Sequence, residues 1–243
     1  MERPDASASA APTAGTPTGT TPGTVSEQAF LSLRRDVLQG EHPPGAKLKL
    51  ELLQVQYGFS SSPLREALNR LAQEGLVRAD ERRGFRVAPI SAEDMADITR
   101  MRLMIDVSAL RDSIAAGDDA WEADLVARFH RLERLESRLP EGPVVLDADW
   151  VQRHRDFHQA LLAACPSQRQ LALSASLFDQ AERYRQISGR HRQSLRRKNE
   201  EHRRLMQATL KRDADTACAL LSEHMLSTQR NVVAALRKMP GDA

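Results

Sequence analysis

Residues 58–71 read Gly-Phe-Ser-Ser-Ser-Pro-Leu-Arg-Glu-Ala-Leu-Asn-Arg-Leu, and this stretch constrains the fold more than any other. Ser60 stands where a helix N-cap would, and Pro63 falls in the first turn, where a missing N–H costs little. Leu64, Ala67, Leu68 and Leu71 recur at helical spacing and make one apolar face. Ser62, Arg65 and Asn69 make a second, polar face. One face can seat the helix on a core while the other meets a partner in solvent. A recognition helix entering a DNA major groove needs that geometry.

The flanking residues supply a setting for such a helix. Thr24 and Glu27 have capping-box spacing and open a helix to about Leu38, ended by Gly40 and the Pro43–Pro44–Gly45 cluster. Leu48 to Gln56 reads as a second short helix, stopped by Gly58. After Gly75, two alternating runs, Leu76–Ala79 and Phe85–Ala88, flank a turn-like segment at residues 80–84. Val77, Phe85 and Val87 can face the helices, with Arg78 and Arg86 outward. Three helices and a hairpin make a winged helix-turn-helix over 25–88. Residues 1–24 hold almost no bulky side chains and are expected to be a disordered tail, because they cannot bury enough surface to offset ordering entropy. They contain no apolar signal-peptide core.

Beyond Ala88–Pro89–Ile90, a linker, Ser91 and Asp94 again have capping-box spacing. From there the chain reads as helix after helix, with breaks at Gly117–Asp118, Pro140–Pro143, Pro166, near Gly189 and near Arg212–Asp213. The expected fold is therefore mainly α: a winged helix-turn-helix followed by an all-α bundle over 91–238. No run approaches membrane-spanning length. Two cysteines, Cys165 and Cys218, offer no disulfide framework and suggest a reducing compartment, the cytoplasm. Aromatic content of 4% argues against stacking platforms for single strands, and a net charge of +2 requires any nucleic-acid surface to be local.

Arg65 is the leading base-contact candidate, because a guanidinium offers a donor pair matching the O6/N7 edge of guanine. Ser60, Ser61, Ser62 and Asn69 on the same helix can make shorter contacts. Lys47 and Lys49 ahead of the second helix, and Arg82, Arg83 and Gly84 at the wing tip, are placed to meet phosphates, which fix register without reading sequence. Leu38-Gln39-Gly40…Pro44-Gly45…Leu48, then Ser60-x-x-Pro63-Leu64-Arg65-Glu66-Ala67-Leu68-x-x-Leu71-x-x-Glu74-Gly75-Leu76-Val77, then Arg83-Gly84-Phe85-x-Val87, resembles the N-terminal domain of GntR-family transcription regulators. The family usually has Arg directly after the Ser of the recognition helix, and here that position is Ser61, so the operator is not inherited. The Ser-Ser-Ser-Pro-Leu-Arg version resembles the carbon-starvation-induced regulators.

Of the seven histidines, His42, His130 and His191 lack partners at useful spacing and read as surface residues. His154 and His158 lie one turn apart, so both rings project from one helix face. His202 and His224 each lie eleven residues from the break at Asp213. In two antiparallel helices joined there, both would stand roughly 16 Å from the turn and meet at one height. Four imidazoles would converge inside the bundle as a metal site, unless they are simply satisfied core or surface histidines.

Residues 91–236 resemble the helical effector domain, FCD, of the FadR subgroup, through Arg102-x-x-Ile105-Asp106, Phe157-His158-x-x-Leu161, Glu201-His202 and Asp213-Ala214-Asp215-x-Ala217 ahead of His224. The resemblance implies a divalent metal held by one Asp and three His, the latter carried over to His158, His202 and His224. The Asp position is His154 here. An all-His set removes an anionic ligand, leaves the metal more positive, and favours Zn²⁺ or Ni²⁺. Two open positions on a six-coordinate metal could take a small carboxylate effector. Arg102 is the first candidate counter-charge and Arg185 the second. Residues 183–212 hold eleven Lys or Arg against Glu200 and Glu201, which reads as a solvated helix pair before it reads as an anion-attracting rim.

The function expected is a homodimeric, ligand-responsive regulator of transcription, a repressor binding double-stranded operator DNA. Two alternatives stand beside it. A metal-dependent enzyme on the four histidines would need a general base at the metal, and none is evident. An architectural DNA-binding protein would ignore ligands.

Overall fold

A computed structural model describes residues 23–80, 84–138, 147–189 and 198–238. The expected tail, the turn residues Arg82 and Arg83, the break at Pro140–Pro143 and His191 lie outside the described residues, apart from Gly23 and Thr24 at the tail's end. The winged helix comprises α1 (Val25–Gln39), β1 (Lys47–Leu48), α2 (Leu50–Tyr57), α3 (Ser61–Gln73), β2 (Val77–Asp80) and β3 (Gly84–Val87). The bundle follows as α4 (Ala92–Ala116), α5 (Asp119–Glu136), α6 (Ala148–Leu162), α7 (Gln168–Gly189), α8 (Lys198–Leu210) and α9 (Ala214–Leu236).

Capping chemistry sets most of these starts. Thr24, Ser91, Asp118 and Asp213 each accept the backbone N–H three residues on, at 2.9–3.2 Å. Ser60 is the exception. It holds the cap position of α3 but makes no side-chain cap bond. The residue three positions on is Pro63, which has no N–H to offer. α3 is instead fixed by its apolar face: Leu64, Ala67, Leu68 and Leu71 are fully buried with Leu33 of α1 and Leu76.

The second helix begins two residues later than its apolar spacing predicts. Lys47 and Leu48 form a short strand antiparallel to β3, pairing with Arg86 and Phe85 and giving the sheet order β1-β3-β2. Two residues leave no periodicity to read, and only the hairpin opposite makes them a strand. Val77 and Val87 are buried and Phe85 packs on the same core, while Arg78 and Arg86 face out.

The bundle has its own core, running from Leu110 and Trp121 through Trp150 and Phe157 to Leu221 and Met225. α7 also reaches the winged helix. Gly40, in the left-handed region at φ 75°, caps α1 against Ile187, and Gly75 at φ 73° lets the Gln180 amide approach to 3.1 Å of where a Cβ would stand. The linker is anchored to the same helix. Arg183 donates to the Ala88 carbonyl, and Tyr184 Oη accepts from Ser91 N at 3.0 Å and donates to Asp94 at 2.6 Å.

Candidate functional site

Two sites take shape, one on the surface and one inside. On α3, Ser61, Ser62, Arg65 and Asn69 are exposed, as is Ser60 just before it. Arg65 forms no ion pair or hydrogen bond among the described residues. Its helical neighbours are otherwise engaged: Glu66 accepts from Ser26 Oγ at 2.6 Å, and Arg70 pairs with Glu27 at 2.6 Å and lies 3.6 Å over the Phe30 ring. The helix thus fastens one side to α1 and leaves Arg65 to display. Lys47 and Lys49 are exposed, and Gly84 turns the wing at φ 81°. Sequence spacing passed over two cations of the same surface. Arg86 stands opposite Lys47 on one side and Arg78 on the other, so three cations cross the outward face of the sheet in register. Strand alternation put Arg78 and Arg86 outward; only the pairing of β1 with β3 makes them one row with Lys47.

Inside the bundle, α6, α8 and α9 bring His154, His158, His202 and His224 together, all buried, with one ring nitrogen from each within 4.8 Å of the others. The height match across the Arg212–Asp213 turn holds: the His202 and His224 ring centroids are 5.0 Å apart. His158 Nε2 lies 3.1 Å from His154 Nε2, and His158 Nδ1 is buried with no acceptor or donor beside it. Burial lowers the His158 pKa well below the ordinary value, and the cationic environment adds to it. A neutral imidazole with an unbonded nitrogen is the form that ligates a cation. The donor set fits a divalent transition metal.

A glutamate stands against each of three histidines. Glu182 Oε2 is 3.9 Å from His154 Nδ1, Glu136 Oε1 is 3.6 Å from His202 Nδ1, and Glu201 Oε2 is 3.1 Å from His224 Nδ1. Carboxylates therefore stand one layer out from the all-His set, and Glu201, at hydrogen-bond distance, also orients the His224 ring. No sequence spacing marks these glutamates, since they reach the site from α5, α7 and α8.

The two arginines expected at an effector site both border the histidines. Arg102 pairs with Asp106 at 2.8 Å and lies 5.1 Å from the Phe178 ring. Arg185 pairs with Glu182, and its Nη atoms lie 3.0 and 3.1 Å from the two ring nitrogens of His154. A neutral ring accepts at one nitrogen only, so the guanidinium and a cation compete for His154 more than for the other three. The cavity they share with Met95, Thr99 and Thr228 measures about 10 Å³, room for an ion or a single water.

Two expectations need correction. His42 is not a bare surface residue: it is half-buried, 2.9 Å from Tyr57 Oη, which donates to Asp36 at 2.6 Å. The residue brought opposite it comes from α2, fifteen positions on. Within the basic stretch, Arg203 and Arg212 find their balance on Glu133 and Glu122, but Arg183 and Arg185 are interior. His130 is exposed as expected.

A chain of ion pairs joins the two sites. Arg155, next to His154 on α6, holds Asp179 of α7 through two bonds of 2.7 and 2.8 Å. Asp179 also pairs with Arg34 of α1, and Arg34 Nε donates to Glu74 at the end of α3 at 2.8 Å.

Comparison with known proteins agrees with this architecture. Residues 25–87 match the model of the bacterial regulatory proteins of the gntR family, and residues 97–227 match the FCD domain. The chain is 39% identical over 202 residues to the HTH-type transcriptional regulator BphR of Paraburkholderia xenovorans, covering 83% of this chain and 82% of that protein. It is 37% identical over 199 residues to the HTH-type transcriptional repressor GlaR of Escherichia coli, covering 80% and 90%. The structure of E. coli McbR/YncC has the same fold, with a TM-score of 0.72 at 20% identity over 89% of this chain and 99% of that one. Family and relatives are regulators rather than enzymes, which sets aside the metalloenzyme alternative. The chain belongs to the GntR family, and it is a DNA-binding transcription regulator with a winged helix-turn-helix in front of an FCD effector domain.

Proposed function

We propose that this chain is a ligand-responsive repressor in the cytoplasm, acting as a homodimer on pseudo-palindromic operator DNA, with 25–88 as the DNA-reading unit and 91–238 as the sensor. The observation that carries the reading is the ion-pair chain Arg155–Asp179–Arg34–Glu74, which ties the helix bearing His154 and His158 to the end of the recognition helix. A dimer is required because one head buries too little to select a genomic site, and two-fold operators mirror two-fold proteins.

His154, His158, His202 and His224 would hold a Zn²⁺ or Ni²⁺ ion, whose chemistry is to accept an anionic oxygen of a small carboxylate. This chain's residues do the rest. Arg102 and Arg185 supply the counter-charges and already hold carboxylates, Asp106 and Glu182, so an incoming acid exchanges one carboxylate partner for another. The cavity is too small for an acid with these side chains in place. Admission therefore moves Arg185 or Arg102, and with it α7 or α4. A shift in α7 changes the grip of Asp179 on Arg34, and so the seat of α3. A coupling of about 1–3 kcal/mol is typical of such a link. Arg65, Ser60, Ser61, Ser62 and Asn69 would meet bases and nearby phosphates, with Lys47, Lys49, Arg82, Arg83 and Gly84 holding the backbone.

The test is operator selection with the full chain from random duplexes, followed by titration of the selected duplex with and without a panel of small dicarboxylates. Release by at least one acid, lost in His158→Ala, is the expected result. DNA binding unmoved by every acid, with metal in place, would leave the ligand-independent architectural reading.

A further inference from the structure

The cleft between the winged helix and the bundle lies outside the four-His centre and has its own chemistry. It measures about 470 Å³, within the range of small-molecule sites. Its walls come from both units: Gly75, Val77 and Arg78 on one side, and Ile98, Arg183 and Tyr184 on the other, with the linker residues Ala88 and Pro89 at the join. Arg183 is 3% exposed. One Nη donates to the Ala88 carbonyl, yet Nε is buried with no acceptor, and among the described residues no carboxylate bonds to the guanidinium, Asp94 acting on it only at longer range. A buried donor without a partner costs about 1–3 kcal/mol, so its retention calls for a partner. Arg78 makes no ion pair among the described residues and stands directly across the strands from Arg86, a like charge. Asp94, the one carboxylate among the described residues lining the cleft, is already bonded by the Tyr184 hydroxyl. Among the described residues, two guanidinium groups against one engaged carboxylate make the lining net positive, over an apolar wall of Val77, Ile98 and Pro89.

We propose that this cleft is a second binding site, taking a small oxyanion, a carboxylate or a phosphate, between Arg78 and Arg183. The ligand accepts from the Arg183 Nε–H and neutralises Arg78. One arginine belongs to the reading head and the other to the bundle, so the bound anion fastens the two at the linker, whatever the histidine centre holds. Arg183 already grips the Ala88 carbonyl, so occupancy sets the angle at which the chain leaves the winged helix.

Calorimetry on the chelator-treated full chain tests this, with benzoate and inorganic phosphate as probes. Binding of benzoate alone identifies a carboxylate on an apolar body as the ligand type; binding of phosphate identifies a bare oxyanion. Arg78→Gln, on an exposed strand position, should weaken the binding probe about tenfold, the worth of a single charged hydrogen bond. His158→Ala should leave it unchanged, and the Arg183 Nε–H resonance should move on saturation. Arg183→Met should abolish binding if circular dichroism shows it folded; if it is not, Arg78→Gln and the resonance decide. Failure of both probes to bind, or wild-type affinity in Arg78→Gln, overturns the site. Affinity lost in His158→Ala and retained in Arg78→Gln does the same, by placing the probes in the bundle.

Discussion

The winged helix and the bundle use polar side chains in opposite ways. On α3 the candidate reading groups are exposed, and Arg65 has no partner among the described residues. Fixity comes from below, from Leu64, Leu68 and Leu71. At the four-His centre the histidines are buried, and most of the polar groups stand against another: three imidazoles beside glutamates, Arg102 on Asp106, Arg185 on Glu182. The difference suits the partner proposed for each. A duplex arrives as a large surface, and its phosphates and base edges replace the water on exposed donors. A metal ion or small acid, the partner proposed for the bundle, must be desolvated, and an interior site lined with polar groups suits that.

The sharpest break of that contrast is Leu68→Ala. Removing a fully buried side chain beneath the recognition face should cost about 2–5 kcal/mol, and thermal or urea unfolding of the winged helix reads it. The same substitution should leave metal content of the bundle intact, because the two cores are separate. A bundle that unfolds with it would show one core, not two. Next comes the interior site: His158→Ala with His202→Ala should strip metal from purified protein, and full occupancy by elemental analysis would remove these two from the ligand set. At the surface site, Arg65→Ala should cost about 1–3 kcal/mol at its base pair without altering stability. Equal operator affinity in anisotropy titrations would assign base reading to Ser61, Ser62 and Asn69.

Between the two regions, Asp179→Asn should leave each site working but weaken their link. Operator affinity without effector should shift little, while the effector response should fall several-fold, within the 1–3 kcal/mol usual for such couplings. An undiminished response would route the signal through the linker instead. The smallest effects test the caps. Ser91→Ala removes a 3.0 Å cap bond and should cost about 1 kcal/mol. Ser60→Ala removes none and should stay within about 0.5 kcal/mol. A matching loss at both positions would mean that Ser60 caps α3 in solution.

Much of this was legible before any coordinates. Helix starts at Thr24 and Ser91 follow from a cap residue and a free N–H three positions on, a local rule, as does the break at Gly117–Asp118. The four histidines were legible because helical rise is constant: one turn separates His154 from His158, and equal distances from a turn align His202 with His224. What escaped was non-local. The β1 strand exists only because β3 lies opposite, and His42 meets Tyr57 only through the turn between α1 and α2. Ser60 shows a local rule defeated by a local fact, Pro63 at the position that must donate.

Sequence alone determined which faces are apolar, where helices begin and which imidazoles share a height, because periodicity and rise per residue act within a single element. Tertiary structure decided which charges meet. Glu182 beside His154, Asp179 between Arg155 and Arg34, and Arg183 left with an unanswered donor all depend on how α7 lies against both units. The relative placement of helices is set by the packing of whole faces, and no spacing along the chain records it.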